Sequence, residues 1–387
     1  VNIWIVVGTR PEVIKQVPVY WACVKKFSSS SVKLVGTGQH KELLLQALQH
    51  FDVGLDKDFA IMRTGQSLNQ IAARVLMSFD EALEQKKSDW ADRSDYPEWI
   101  VVQGDTTTAA MAAVAAFHRG VKVAHNEAGL RSFDLKNPFP EEANRKWISQ
   151  IADLHFAPTS LAQEALHREG VDGAKIHLTG NTGVDALLWT LSQKAKSPRT
   201  EEILGSIEKK NLRPVFVTAH RRENADAIDV WFKSLASLLE KTKDLYLIYP
   251  MHPNNLAKTA AEQWLKGHDR VLLCEPFDYL TTCQILAESA FAVTDSGGIQ
   301  EEGASLGIPV VVCRKTTERM EAVNVGLSKI ADPSSSEQMW AALEWADQMS
   351  RSKAHQLKGL EYLRNNSGPF GDGLAAEKIA NLLHEQV

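Results

Sequence analysis

Four carboxylic acids fall in three short segments, two that follow an apolar run and one Pro-bracketed turn. Asp105 lies in Gly104-Asp105-Thr106-Thr107-Thr108, and Glu127 in His125-Asn126-Glu127-Ala128-Gly129-Leu130-Arg131. Glu141 and Glu142 lie in Pro138-Phe139-Pro140-Glu141-Glu142-Ala143-Asn144-Arg145. Carboxylates gathered at one edge repel each other unless cations pair with them or protons move among them. Proton transfer is therefore one chemistry that this set could perform. The structural alternative is neutralisation by Arg131 and Arg145, and Asp105 could simply cap the Ala-rich helix after it.

A second group of segments suits an anion. Gly8-Thr9-Arg10-Pro11-Glu12 joins a strand to a helix, and Arg10 and Lys15 add positive charge to the free N–H groups expected at a helix start. Thr218-Ala219-His220-Arg221-Arg222-Glu223-Asn224 sets three basic groups in succession, as a diphosphate leaving group would require or a solvated surface would tolerate. Thr294-Asp295-Ser296-Gly297-Gly298-Ile299-Gln300-Glu301-Glu302 is the strongest of these. A strand running into Ser296, Gly297 and Gly298 and then a helix brings a hydroxyl, backbone N–H groups and the helix dipole to one point. Glu302, one turn on, could reach ribose hydroxyls, and the segment from Arg314 to Arg319 adds charge at the same edge. Gly36-Thr37-Gly38-Gln39-His40 ends another strand, with Gln39 and His40 as ligand contacts or as part of a capping turn.

Other chemistries are absent from the pattern. No GxGxxG nicotinamide loop, HExxH, CxxC pair, GxSxG elbow or EF-hand loop occurs. Asp56-Lys57-Asp58 has the DxD form that can hold a metal-bound nucleotide, but it reads as a surface turn. No metal and no redox cofactor is expected. Asp+Glu 48 against Lys+Arg 43 gives −5, too even a balance for a nucleic-acid-coating surface. The longest apolar run, 109–117, has nine residues against the roughly 20 needed to span a bilayer. With no signal-like start and four scattered cysteines, the expectation is a cytoplasmic protein with reduced thiols.

The elements that must position these loops alternate strand and helix, which predicts α/β parallel sheets. Strands are expected near 3–7, 32–35, 99–102, 121–124, 154–157 and 175–178. A second set is expected near 214–217, 245–249, 271–273, 291–293, 309–313 and 327–330. Six and six predict two doubly wound, Rossmann-like sheets, and 387 residues at about 150 per domain also suggest two domains. The first domain is expected over 1–180 and the second over 181–371, with a solvated stretch at 194–200. A polar connection is expected at 86–94 and an amphipathic helix at 374–385. In such sheets ligands bind beyond the carboxyl ends of the strands, where nearly all the polar clusters above lie.

Taken together, the motifs resemble one family, the non-hydrolysing UDP-N-acetylglucosamine 2-epimerases. The resemblance runs from Gly8 to about Glu321 and rests on nine blocks in one order: GTRPE at 8–12, TGQH at 37–40, GDTTT at 104–108, HNEAGLRS at 125–132, PFPEEANR at 138–145, TGNT at 179–182, AHRREN at 219–224, DSGGIQEE at 295–302 and TTERMEAV at 316–323. It implies a GT-B-like fold, with two Rossmann-like domains, the active site in the cleft between them, and a C-terminal helix (about 372–387) packing back on the first. It also implies reversible conversion of UDP-GlcNAc to UDP-ManNAc without NAD or metal. The implied route eliminates UDP to a 2-acetamidoglucal and adds it back after inversion at C2.

Carried onto this sequence, Asp105, Glu127 and Glu141 become acid/base groups and His220 joins them, acting on the diphosphate. Arg10, Lys15, Arg145, Ser296, Gly297, Gly298 and Glu302 become substrate-binding residues, with Phe277 near the uracil. Gln39 and His40 become candidate contacts of a second UDP-GlcNAc acting as activator, and a homodimer is implied. The chain departs from the family pattern at Asn126, where Val is usual, at Gly183, where a bulky residue is usual, and at Gly65, where some relatives carry the activator-binding Arg. Lys315 stands for Asp and Met320 for Pro, and no glycine follows the AHRREN block. Asn126 and Lys315 keep open a different UDP-2-acetamido sugar, such as a diacetamido uronate. A non-catalytic nucleotide-sugar binder is the remaining alternative.

Overall fold

The central strand segments are short apolar runs buried along their whole length, as parallel strands covered on both faces must be. A computed structural model describes residues 1–38, 41–63, 65–88, 96–192, 195–251, 255–352, 358–366 and 368–386. It contains two compact units, one of residues 1–186 with 371–387 and one of residues 187–370.

The first unit holds β1 (Ile3–Val7), β2 (Val32–Gly36), β3 (Lys57–Asp58), β4 (Trp99–Gln103), β5 (Lys122–Asn126), β6 (Leu154–Ala157) and β7 (Ile176–Leu178). They form one parallel sheet in the order β3-β2-β1-β4-β5-β6-β7. The seventh strand is a correction to the six expected. Two residues of β3 carry no periodicity to read, and Asp56 just before them accepts the Leu34 amide at 2.7 Å. The DxD triplet is thus part of a sheet edge rather than a free turn.

The second unit holds β8 (Arg213–Thr218), β9 (Leu245–Pro250), β10 (Val271–Cys274), β11 (Phe291–Thr294), β12 (Val310–Cys313) and β13 (Ser328–Ala331), in the order β10-β9-β8-β11-β12-β13. In each sheet the order reverses beside the first strand, between β1 and β4 and between β8 and β11. Crevices at the carboxyl ends of such pairs are where doubly wound sheets bind ligands.

Helices fill both faces. The helix Arg10–Lys26 starts from a capping box, with Thr9 and Glu12 each satisfying a backbone N–H of the other and Pro11 in the first turn. The helix Thr107–His118 buries six alanines, whose small side chains let it lie close against the sheet. The last helix, Ala375–Glu385, belongs to the first unit, where Asp185 accepts the Ala375 and Ala376 amides at 3.3 and 2.9 Å in place of a local cap.

Two expected connections are more ordered than their polarity suggested. Residues 86–88 complete the helix Leu68–Ser88. In the stretch expected to be solvated, Ser197 caps the helix Pro198–Lys209 and is buried together with Thr200. Among the described residues no helix is long and apolar enough to cross a membrane, and all four cysteines are buried and form no disulfide.

Candidate functional site

In the first unit, β4 and β5 end side by side, with Gln103 in register with Asn126. One residue beyond Asn126, Glu127 adopts φ 65°, a left-handed conformation that a side chain adopts at a cost of about 1–3 kcal/mol and that surrounding contacts must enforce. Its buried carboxylate receives two donors on one oxygen, Oε2. Gln103 Nε2 lies at 2.7 Å, and Lys15 Nζ reaches it from the helix Arg10–Lys26 to form an ion pair. That helix is keyed to the same strand ends, since Gln16 donates to the Val101 carbonyl at 3.2 Å and accepts from Asn126 at 3.1 Å. Asn126 also donates to Thr182 Oγ1 at 3.0 Å.

Asp105 is held differently. Arg145 grips its Oδ2 through Nε at 2.9 Å and Nη2 at 2.6 Å, and Asn144 donates to its backbone carbonyl at 2.8 Å. These contacts dock the first half of the helix Glu141–Ile151 on Asp105, with Glu141 as the first residue of that helix. Glu142 faces inward. It accepts the Ser132 and Phe133 amides at 3.0 and 3.2 Å and pairs with Arg145 at 3.1 Å, so its work is to shape the loop. Arg131 does not neutralise this cluster as expected; it turns away to Glu169 and Ser149. Behind both strand ends, His125 hydrogen-bonds the Gly104 carbonyl at 2.8 Å, and burial lowers its pKa to about 3, which keeps it neutral.

The Gly8 loop corrects a second expectation. Its amides are not open to an outside anion, because the carboxylate of Glu12 accepts Gly8 N at 2.8 Å and Thr9 N at 2.6 Å. Thr106 donates to the other oxygen at 2.7 Å. Burial pushes the Glu12 carboxyl above its ordinary value against the pull of these hydrogen bonds. The chain's own anion fills the nest. Of the two cations assigned to this loop, Lys15 is paired with Glu127, and Arg10 stands partly exposed with no hydrogen bond or ion pair to a described residue.

In the second unit the organising group is Asp295, fully buried at the end of β11. It accepts the backbone amides of His220 at 3.1 Å and Arg221 at 2.9 Å, and the Asn224 side chain at 3.2 Å. His220 Nδ1 lies 3.2 Å from Asp295 Oδ1, so a buried carboxylate orients the half-exposed imidazole. Arg221, one of the three cations expected to serve a diphosphate, donates from Nε to the Asp295 carbonyl at 2.8 Å.

The helix Gly297–Ser305 begins at Ser296, whose hydroxyl makes no capping bond. A Cβ on Gly297 would fall 2.7 Å from Arg319 Cζ, so glycine is needed there to admit the guanidinium against the helix start. Arg319 pairs with Glu301 at 2.9 Å and with Glu318, and Glu318 also pairs with Arg314 at 2.9 Å. The charge of Arg314 and Arg319 is therefore balanced by acids, while Lys315 is exposed. Gly298 is exposed, with nothing nearer than Ser296 Oγ at 4.0 Å from its Cβ position. Burial raises the pKa of the Tyr279 phenol well above its ordinary value, with the charge of Glu302 acting in the same direction. Phe277 is only 8% exposed. Gln39 and His40 lie outside the described residues. No group of three or more His, Cys, Asp or Glu that could hold a metal occurs among the described residues.

Each unit thus places its polar clusters at the carboxyl ends of the strands, with paired carboxylates in the first and a glycine-started helix beside a carboxylate-oriented histidine in the second. The family model described as UDP-N-acetylglucosamine 2-epimerase matches residues 23–384. The chain belongs to the UDP-N-acetylglucosamine 2-epimerase family. It is 36% identical over 390 residues to the UDP-N-acetylglucosamine 2-epimerase of Campylobacter jejuni, covering 99% of this chain and 97% of that one. The Escherichia coli K12 enzyme of the same name is 35% identical, covering 98% and 97%. Among solved structures, the UDP-GlcNAc 2-epimerase of Neisseria meningitidis bound to UDP-GlcNAc is 34% identical with a TM-score of 0.85, over 100% of both chains.

Within this epimerase-family chain, the groups that sequence reasoning missed are the supporting ones. Gln103, Gln16, Asn144 and Thr182 carry no chemical signal by residue type. Asp295 stood inside a quoted block, and a lone Asp just ahead of Ser-Gly-Gly at a strand end was the available sign that it orients the neighbouring loop.

Proposed function

We propose that this protein interconverts UDP-GlcNAc and UDP-ManNAc by inversion at C2 of the hexose. The observation that carries the reading is the pair of carboxylates on adjacent strand ends, Asp105 held by Arg145 and Glu127 held by Lys15 and Gln103, in a chain of the epimerase family. C2 has no neighbouring carbonyl, so its proton cannot leave to give a stabilised carbanion. In the proposed step a carboxylate takes the C2 proton, the C–H electrons form the C1=C2 bond, and the C1–O bond breaks to release UDP. The 2-acetamidoglucal then regains UDP at C1 and a proton at C2 from the opposite face, so atoms and charge balance without a redox cofactor.

Asp105, Glu127 and Glu141 are the proton-transfer candidates. The leaving diphosphate needs positive charge and N–H donors, for which the reading uses Arg10, His220 and the helix start at Ser296, Gly297 and Gly298. Glu302 is assigned to the ribose, and Phe277 to the base. The same reading takes a cytoplasmic homodimer that needs no NAD or metal and binds a second UDP-GlcNAc as activator. Asn126, which suggested another sugar, is buried and hydrogen-bonded to Gln16 and Thr182, so its difference is accommodated within the protein interior.

The test is incubation of the purified chain with UDP-GlcNAc alone, with UDP-ManNAc followed by NMR. Asp105→Asn and Glu127→Gln should keep the native circular dichroism and lower turnover at least about 100-fold, as loss of a general acid or base does. Binding of UDP-GlcNAc without any conversion overturns the reading in favour of a non-catalytic binder. Conversion of only a different UDP-2-acetamido sugar keeps the chemistry and changes the substrate.

A further inference from the structure

We infer that Gln103 is a positioning residue for the proposed reaction, fixing the orientation of the Glu127 carboxylate while Lys15 supplies its counter-charge. The inference rests on the reading of Glu127 given above. A glutamine ending a fully buried strand is costly unless its amide is satisfied. Gln103 meets that need on Glu127 Oε2 at 2.7 Å, with both side chains almost wholly buried. Three separate elements converge on this one oxygen: β4 through Gln103, the helix Arg10–Lys26 through Lys15, and the turn after β5 through Glu127 itself.

The two donors do different work. A lysine ammonium is a point charge on a flexible stem and sets little direction. The planar amide of Gln103 projects from the end of β4, where the backbone is held in register with Asn126 of β5, and its N–H donors lie in a fixed plane. Direction matters here because Glu127 is in the left-handed region, where the backbone itself does not favour the conformation. The charged and titratable groups around this carboxylate are Lys15 on the helix, Asp105 with Arg145 beyond β4, and His125 on β5, which burial keeps neutral. Gln103 is the neutral member of the set, and its removal changes no formal charge.

The experiment compares Gln103→Leu, Gln103→Asn and Gln103→His with the parent and with Glu127→Gln. The Asn variant keeps an amide but falls one methylene short, and the His variant restores a donor of similar reach. For Gln103→Leu and Gln103→Asn the expected result is a kcat lowered about tenfold or more, the size of a lost hydrogen bond to a charged group, with KM for UDP-GlcNAc within about twofold. Gln103→His should recover most of kcat. Because a hydrogen bond to the charged form favours it, the acid limb of the kcat profile should also move to higher pH in the Leu variant. A kcat within twofold of the parent for both Leu and Asn, while Glu127→Gln is inactive, overturns the inference and leaves the function intact. Parental turnover by Glu127→Gln instead overturns the assignment of Glu127 on which the inference rests. If Gln103→Leu melts before it can be assayed, the Asn variant decides.

Discussion

Replacing Lys15 by Met tests the electrostatic core of the candidate site. Met keeps the length and the helix propensity of Lys, so the helix Arg10–Lys26 should persist and the change is confined to the ammonium. Side-chain exposure is 11% for Lys15 and 7% for Glu127, so water cannot replace the lost partner. Breaking one side of a buried ion pair costs about 3–5 kcal/mol, and the Gln103 hydrogen bond offsets only part of that. For a unit of about 200 residues, each kcal/mol shifts the melting temperature by about 2–4 °C, so a drop of roughly 6–20 °C is expected.

Two units make a single global stability ill-defined, so the assay is calorimetry combined with amide hydrogen exchange of β1, β4 and β5, which reports on the first unit. Removing the second charge as well, in Lys15→Met/Glu127→Gln, should recover stability relative to Lys15→Met, with a coupling of about 2 kcal/mol or more. The loss should also persist in about 0.5 M salt, since buried pairs are poorly screened. Additive single and double variants, within about 0.5 kcal/mol, would refute the reasoning.

Gly297→Ala places a Cβ 2.7 Å from Arg319 Cζ and forces the guanidinium off the helix start. Because Arg319 must then leave its ion pair with Glu301, the melting temperature of the second unit by calorimetry should fall, while Gly298→Ala, with open space at its Cβ, should leave it unchanged. Burial lowers His125 to about 3 and His155 to about 4, so between pH 6.5 and those values the unfolded chain binds protons that the native one refuses. Stability is therefore lost as pH falls, by about 1.4 kcal/mol per pH unit for each ring. Asp185, raised to about 6 by burial, acts in the opposite direction between about 6 and 3.8. The decisive comparison is thus wild type against His125→Gln, whose denaturation midpoint should fall less steeply from pH 6.5 to 5; identical slopes would contradict the buried neutral state.

What the sequence made legible follows from how far apart the interacting residues lie. Runs such as IWIVV and WIVVQ announce buried parallel strands locally, and their order through the chain places the polar segments at strand ends. The two-residue β3 has no such run, and it joins the sheet only through β2. Thr9-x-x-Glu12 is a visible capping box, yet the burial that makes Glu12 fill the Gly8 nest depends on Thr106, 94 residues away. Arg131 and Arg145 are equivalent by composition, and the fold alone sends one to Glu169 and the other to Asp105. The candidate proton-transfer side chains could be named from their types and blocks, whereas Gln103 and Asn144 declare themselves only through the groups they hold.

The most direct test of the central claim is the fate of the C2 proton when UDP-GlcNAc turns over in D2O. Removal at C2 followed by delivery from solvent-exchangeable groups predicts that UDP-ManNAc forms carrying deuterium at C2, and that recovered UDP-GlcNAc becomes deuterated there as the reaction reverses. UDP-ManNAc that retains the original C2 proton would contradict proton transfer through Asp105, Glu127 or Glu141.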